Sequence, residues 1–206
     1  MTLARHLVVF TRYPRLGTGK RRLARDIGAV QALRFQRMLL DHLLLRLARD
    51  PRWTVWLAMT PGKHPPPRLK MSGVRSIGQG PGDLGDRMGR VARALPPGPV
   101  VIIGSDIPGI RPEQIAKAFR ALGHHDAVFG PATDGGYWLV GLKRRPRFLD
   151  PFADVRWSTA HALADTRANL AESKIAVVSS LSDVDDGTSL KNQGAWWKLH
   201  NRERRG

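Results

Sequence analysis

The chain has 206 residues, 34 basic against 17 acidic side chains for a net charge of +17, and no cysteine. That length fits one domain of ordinary size, and the missing cysteines exclude disulfides, thiolate metal sites and cysteine nucleophiles. No apolar run approaches the roughly 20 residues of a membrane helix, and "LVVF" near the start is too short for a secretory leader, so the expectation is a single cytoplasmic domain over 1–206 with no membrane partner.

In chain order, "HLVVF" (6–10) reads as a buried strand. A Gly-containing loop then leads into a helical stretch that breaks near Gly28 and runs on through "AVQALRFQRMLLDHLLLRLA" (29–48). "WTVWLAM" (53–59) is a second strand, and the stretch 61–73, rich in Pro, Gly and Lys, is an exposed loop. "VRSIG" (74–78) is a short strand and "LGDRMGRVARAL" (84–95) the helix after it. "PVVIIG" (99–104), β-branched and uninterrupted, is the central strand. In the helix "RPEQIAKAFRAL" (111–122), Pro112 suits the first turn, and Ile115, Phe119 and Leu122 share one face. His124 and His125 lack metal-ligand spacing and mark that helix's end. "DAVFGP" (126–131) and "GYWLVGL" (136–142) are strands separated by a Gly-rich turn. "STAHALADTRANLAE" (158–172) is a helix with Ser158 as its N-cap. "KIAVVS" (174–179) is a late strand, and the tail carries a helix around Trp196 and Trp197.

Strands alternating with helices at this spacing make an α/β domain, its mostly parallel sheet covered on both faces. Ligands of such sheets bind beyond the carboxyl ends of the strands, so the residues that follow each apolar run are the candidates. The central strand runs out into "GSDIPGI", which puts Ser105 and Asp106 at the sheet edge. A carboxylate there suits Mg²⁺ or Mn²⁺ bridging to a diphosphate, although an Asp that merely caps a turn meets the same pattern. After the first strand, "FTRYPRLGTGKRRLAR" (10–25) offers Thr11, Arg12, Lys20 and Arg22 around a loop whose N–H groups and cations could hold phosphates. Its spacing is neither Walker A nor the dinucleotide GxGxxG.

"FGPATDGGYWLVGL" (129–142) supplies Asp134 as an acid to orient or deprotonate an acceptor, and Gly135 and Gly136 as backbone that a ligand can approach closely. Tyr137 and Trp138 point to opposite faces of the strand; a Gly-Gly turn between two strands explains part of the same string. "GQGPGDLGDRM" (78–88) adds Gln79, Gly82 and Asp83, with a helix-capping Asp as the simpler account. The carboxylates of "LSDVDDG" (181–187) could complete a metal site with Asp106 or form an exposed turn.

Taken together, "LVVFTRYPRLGTGKRRLA", "GDLGDRM", "VVIIGSDIPGI", "DAVFGPATDGGYWLVGL", "WST" and "LSDVDD" make nearly the whole chain resemble a glycosyltransferase-A-like family of the radical SAM/selenodomain-associated transferase type. The 2-phospho-L-lactate and molybdenum-cofactor guanylyltransferases are more distant relatives. The resemblance implies a Rossmann-like nucleotide-diphospho-sugar transferase fold. It also implies a transferase that takes a nucleoside triphosphate or nucleotide sugar as donor and a small molecule as acceptor, with Mg²⁺ or Mn²⁺ as cofactor. Lys20, Arg22 and Leu23 match the family's Lys-Thr-Arg-Leu segment, with Arg21 in place of Thr. By the same resemblance Asp106 and Asp185 are metal ligands, with Asp183 next in line. The catalytic set is then Asp106, Asp134 and Lys20. Thr11, Arg12, Lys20, Arg22, Gln79, Gly82, Asp83 and Ser105 face the nucleotide, and Gly135, Gly136 and Tyr137 face the acceptor. Pro108 stands where sugar-nucleotide enzymes of this fold carry the second Asp of Asp-x-Asp, which favours nucleotidyl over glycosyl transfer. The charge of +17 keeps a second class open, a non-catalytic nucleic-acid- or nucleotide-binding protein. Against nucleic acid, the aromatic residues do not interleave with the basic clusters as a base-stacking platform would.

Overall fold

A computed structural model describes residues 3–62 and 71–192. The order of elements is β1 (His6–Arg12), α1 (Arg21–Ile27), α2 (Ala29–Ala48), β2 (Thr54–Thr60), β3 (Val74–Gly78), α3 (Leu84–Ala94), β4 (Val100–Gly104), α4 (Pro112–Ala121), β5 (Ala127–Pro131), β6 (Tyr137–Leu142), α5 (Ala162–Ala168), β7 (Ile175–Val177) and α6 (Gly187–Asn192). The seven strands form one sheet in the order β3-β2-β1-β4-β6-β5-β7. Only β6 runs against its neighbours, pairing antiparallel with β4 and β5, while the other pairings are parallel.

The two-residue period of the strands divides the core. Leu7 and Val9 of β1 with Val101 and Ile103 of β4 pack under Leu40, Leu43, Leu44 and Leu47 of α2 and Ile115 and Phe119 of α4. Val8, Val100 and Ile102 point the other way, onto Met88, Val91 and Ala92 of α3, with Leu163 of α5 at the margin. Both faces of β1 and β4 are therefore dry, which is why these strands read as unbroken β-branched runs.

A third, smaller core joins Leu23 of α1, Phe35 and Leu39 of α2, Leu190 of α6 and Val184. Leu23, Phe35 and Val184 are fully buried in it, each contributing about 1.5–3 kcal/mol relative to exposure. The Asp26 carboxylate accepts the Gly187 N–H at 2.7 Å and adds a second tie between α1 and α6. The chain before β2 and the chain after β7 are thus held together beside the sheet edge.

Several boundaries differ from the sequence expectation. Gly28 does break the first helical stretch, at φ 85, so α1 and α2 are separate helices. The helix expected over 158–172 is one of seven residues, Ala162–Ala168, and His161 occupies its N-cap position. Ser158 has φ 62, a left-handed backbone, whereas a capping residue takes the β region. α6 was not anticipated. Trp196 and Trp197, and most of the loop expected over 61–73, lie outside the described residues. His125 closes the end of α4 through a 3.0 Å hydrogen bond between Nδ1 and the Ala121 carbonyl.

Candidate functional site

At the carboxyl edge the crossovers reverse direction between β1 and β4: β2 and β3 lie to one side of β1, and β4 to the other. Such a switch point leaves a crevice for ligands. Two clefts meet there, and both include Gly104 and Asp106 in their walls. The narrow one, about 260 Å³, lies between Thr11, Arg12, Gly19, Lys20, Gln36 and Ser105. The wide one, about 560 Å³, runs from Asp106 and Arg22 past Asp134, Gly136 and Tyr137 to Trp157, Ser158, Thr159 and Ala160, with Asp183 and Asp185 on its wall.

Lys20 stands where the clefts join. Its Nζ lies 2.7 Å from Asp185 Oδ1 and 3.1 Å from Asp106 Oδ2. The lysine side chain is 4% exposed, while the two carboxylates are half exposed. The ion pair joins residues 165 apart in sequence, and the third core explains how. Leu23 anchors the helix that begins just after Lys20, and Val184 anchors the segment between Asp183 and Asp185. The Val184 N–H also donates to the Asp106 carbonyl at 3.3 Å. Val184 is buried, while Asp183 beside it is half-buried and Asp185 is exposed. Burial disfavours the Lys20 ammonium, but Asp106 and Asp185 together hold its pKa above the ordinary lysine value. Burial also pushes the Asp183 carboxyl up to about 6, reinforced by the Asp185 and Asp134 charges and opposed by Lys20.

The other expected residues fall into two groups. Ser105 Oγ donates to Thr11 Oγ1 at 2.9 Å, a buried link between the ends of β1 and β4, and both residues border the narrow cleft with Arg12. Asp134 and Gly136 border the wide cleft, and Asp134 Oδ1 accepts the Gly136 N–H at 3.0 Å. Arg22 borders the wide cleft and not the narrow one.

Gln79, Gly82 and Asp83 border neither cleft. Gln79 is 2% exposed, and its Nε2 donates to the carbonyls of Thr11 and Ala58, at 3.0 and 2.9 Å. Its Oε1 accepts from Arg87, so the amide is fully engaged in clamping β1 to β2. Asp83 caps α3 in a reciprocal pair with Asp86, and Gly82 makes the left-handed turn before it, against the Asp86 side chain. At Gly135 the backbone that comes closest is that of Ala160. The Tyr137 ring packs edge-on to Phe129 and Trp157, and its hydroxyl pairs with Thr166 Oγ1. Burial raises its pKa above the ordinary phenol value, and the residue forms part of the wall of the wide cleft.

The segment Trp157 to Ala160 and the side chain of Gln36 were not among the expected site residues. Gln36 sits on the polar side of an amphipathic helix, where nothing in the periodicity separates it from a solvated residue. "WST" was visible only through the family resemblance.

The donor chemistry of the centre fits a hard divalent cation. Asp106 and Asp185 offer oxygen only, are half exposed, and already hold a cation, the Lys20 ammonium, between them. Among the described residues no three His, Asp or Glu side chains are grouped to hold a metal by themselves, and Mg²⁺ characteristically takes one or two carboxylates with the rest of its shell from phosphate and water. No described helix is long and apolar enough to cross a membrane.

Comparison with solved structures places this architecture among nucleotide-diphospho-sugar transferases and nucleotidyltransferases. A protein of Desulfovibrio desulfuricans G20, described as a candidate nucleotide-diphospho-sugar transferase, is 29% identical over 89% of this chain and 84% of its own, with a TM-score of 0.81. The 4-diphosphocytidyl-2C-methyl-D-erythritol synthase of Anaerococcus prevotii DSM 20548 is similar in fold, with 10% identity, coverage of 95% and 98%, and a TM-score of 0.62. A CMP:2-keto-3-deoxy-manno-octonic acid synthetase complexed with CTP is likewise similar, at 13% identity, 96% and 99% coverage and a TM-score of 0.60. No curated protein matches the chain. A family model matches residues 43–159, more than half the chain and including β4, Asp106 and the whole Asp134–Tyr137 turn, and the chain belongs to that family, described as "Uncharacterized protein conserved in bacteria (DUF2064)".

Proposed function

We propose that the chain is a metal-dependent transferase of the nucleotidyltransferase type, taking its donor in the narrow cleft and a small acceptor in the wide one. The observation that carries this reading is the shared wall. Asp106, Lys20 and Asp185 stand between two separate clefts at the switch point of the sheet, where a donor phosphate and an acceptor hydroxyl would have to meet. Nucleotidyl transfer is favoured over glycosyl transfer because Pro108 removes the second carboxylate of Asp-x-Asp. The second acid comes instead from Asp185, a distant part of the chain. The more distant resemblance to guanylyltransferases points the same way.

Asp106 and Asp185 would hold Mg²⁺ or Mn²⁺, which neutralises charge on phosphate oxygens when bound. The chain's own residues supply the rest. Lys20 borders the donor cleft and can meet phosphate with a compact point charge. Thr11 and Ser105 fix the strand ends that shape that cleft. Asp134, steadied by the Gly136 N–H, has one carboxylate oxygen left to orient an acceptor hydroxyl or accept its proton. Tyr137 and Trp157 give the acceptor cleft a rigid apolar wall. Catalysis in such a site comes mainly from positioning and electrostatics.

The test is a thermal-shift screen of nucleoside triphosphates and nucleotide sugars with and without Mn²⁺ or Mg²⁺, followed by calorimetry on the best ligand. Asp106→Asn is expected to abolish the metal-dependent part of nucleotide binding while its circular dichroism stays that of the parent. Unchanged affinity in the presence of Mg²⁺ would sink the reading.

A further inference from the structure

We propose that Lys20 is a resident counter-cation of the Asp106–Asp185 pair: in the ligand-free chain its ammonium keeps a free divalent ion out, and nucleotide phosphates draw it away as the metal enters. The inference rests on the reading of that pair as a metal site. Its basis is geometric. Nζ touches one oxygen of each carboxylate, at 2.7 and 3.1 Å, and the lysine side chain is 4% exposed although the carboxylates are half open to solvent. A divalent ion bridging the same two groups would stand within a few ångströms of a like charge, so the two cations exclude each other.

The loop is shaped to put the ammonium there. Lys20 has φ 44, a left-handed backbone unfavourable for a residue with a Cβ, and it follows two further left-handed residues, Gly17 and Gly19. α1 begins immediately after it and is anchored by Leu23 in the core that also holds Val184. The ammonium and the Asp185 carboxylate are therefore positioned against each other from both sides.

The same lysine borders the narrow cleft with Thr11, Arg12 and Ser105. Its side chain is long and flexible, so a triphosphate in that cleft offers it an alternative set of anionic oxygens. Phosphate binding and metal binding then favour the same displaced position of Lys20, and each strengthens the other reciprocally.

Two measurements on the full chain test this, and a merely structural lysine would not move them in opposite directions. Titration with Mn²⁺ alone, followed by electron paramagnetic resonance of the free ion, is expected to show Lys20→Met binding at least about tenfold more tightly than the parent. Titration with tripolyphosphate in EDTA is expected to show the same variant binding more weakly. Adding Asp106→Asn to Lys20→Met should remove the gain in Mn²⁺ affinity. If Lys20→Met binds Mn²⁺ no more tightly than a parent that does bind it, or if the gain survives Asp106→Asn, the counter-cation role is overturned and the metal site stands. If neither chain binds Mn²⁺, with or without a nucleoside triphosphate, the metal site itself falls and the proposal with it. Lys20→Gln replaces Lys20→Met should the latter fail to give a folded circular-dichroism spectrum.

Discussion

Gly135 and Gly136 are adjacent, yet alanine should be costly at one and tolerated at the other. Gly135 has φ +86, and a Cβ added there would lie 2.6 Å from the Ala160 Cα and nearer still to its carbonyl oxygen. The left-handed backbone alone costs an L-residue about 1–2 kcal/mol. The clash is with main chain, which cannot rotate away, and the turn is stapled in place because the Gly135 carbonyl accepts the Leu163 N–H at 3.2 Å. Together these put Gly135→Ala at about 2–4 kcal/mol of lost stability. At roughly 2–4 °C per kcal/mol for a chain of this size, the melting temperature falls by about 5–15 °C. At Gly136 the added Cβ meets only the Asp134 side chain, with Oδ1 nearest at 3.2 Å, a group that can turn, so Gly136→Ala should cost less than about 1 kcal/mol. Thermal unfolding followed by circular dichroism compares the two. Equal losses, or a larger one at Gly136, would refute the argument that Gly135 exists to admit the Ala160 backbone. Because Ser158 to Ala160 border the wide cleft, Gly135→Ala should also weaken whatever binds there.

Gln79→Ala removes the side-chain donor that each of the buried carbonyls of Thr11 and Ala58 accepts, and chemical denaturation should show a loss of about 1–3 kcal/mol; a change within about 0.5 kcal/mol, the usual range for surface substitutions, would contradict the clamping role of its amide. His6 gives a pH-dependent term. Its pKa is lowered by burial, with Arg144 and Arg75 adding repulsion, so between its folded pKa and 6.5 the unfolded chain binds the extra proton. That contribution is complete above pH 6.5 and is lost as pH falls through the folded value. Asp183, pushed up to about 6 by burial, acts in the opposite sense: its contribution is complete below the ordinary aspartate value of 3.8 and is lost as pH rises through about 6. His6→Gln, which keeps an acceptor for the Trp56 Nε1–H, should make stability fall less steeply between pH 7 and 5 than in the parent. An unchanged slope in denaturant titrations at successive pH values would contradict the assignment.

What could be read from the sequence follows from how each signal arises. β1 and β4 are dry on both faces, so they declare themselves as uninterrupted apolar runs, and the polar residues at or just beyond the ends of those runs, Thr11 and Ser105–Asp106, stand out by position alone. Polar, glycine-rich segments are ambiguous because phosphate loops and helix caps draw on the same residues. "GQGPGD" satisfies either description, and in the structure it spends Asp83 on a cap and Gln79 on two carbonyls. Ser158 illustrates the same limit: its identity suits an N-cap, but its left-handed backbone belongs to the turn that carries Trp157 and Thr159 along the wide cleft.

The meeting of Lys20 with Asp185 has a different origin. Neither residue carries a local signal of the other, and the pair depends on a buried valine between two acids. Val184 is the hydrophobic centre of "SDVDD", flanked by carboxylates that could not enter a core. An apolar residue alternating with acids over so short a stretch turns one side of the chain inward and the other outward. The partner that receives it, the Leu23–Phe35–Leu190 cluster, is assembled from α1, α2 and α6, so the geometry of the Lys20–Asp185 contact is a consequence of packing at one remove. Shrinking Val184 should therefore disturb the Lys20–Asp185 contact more than any conservative change to the exposed residues around it.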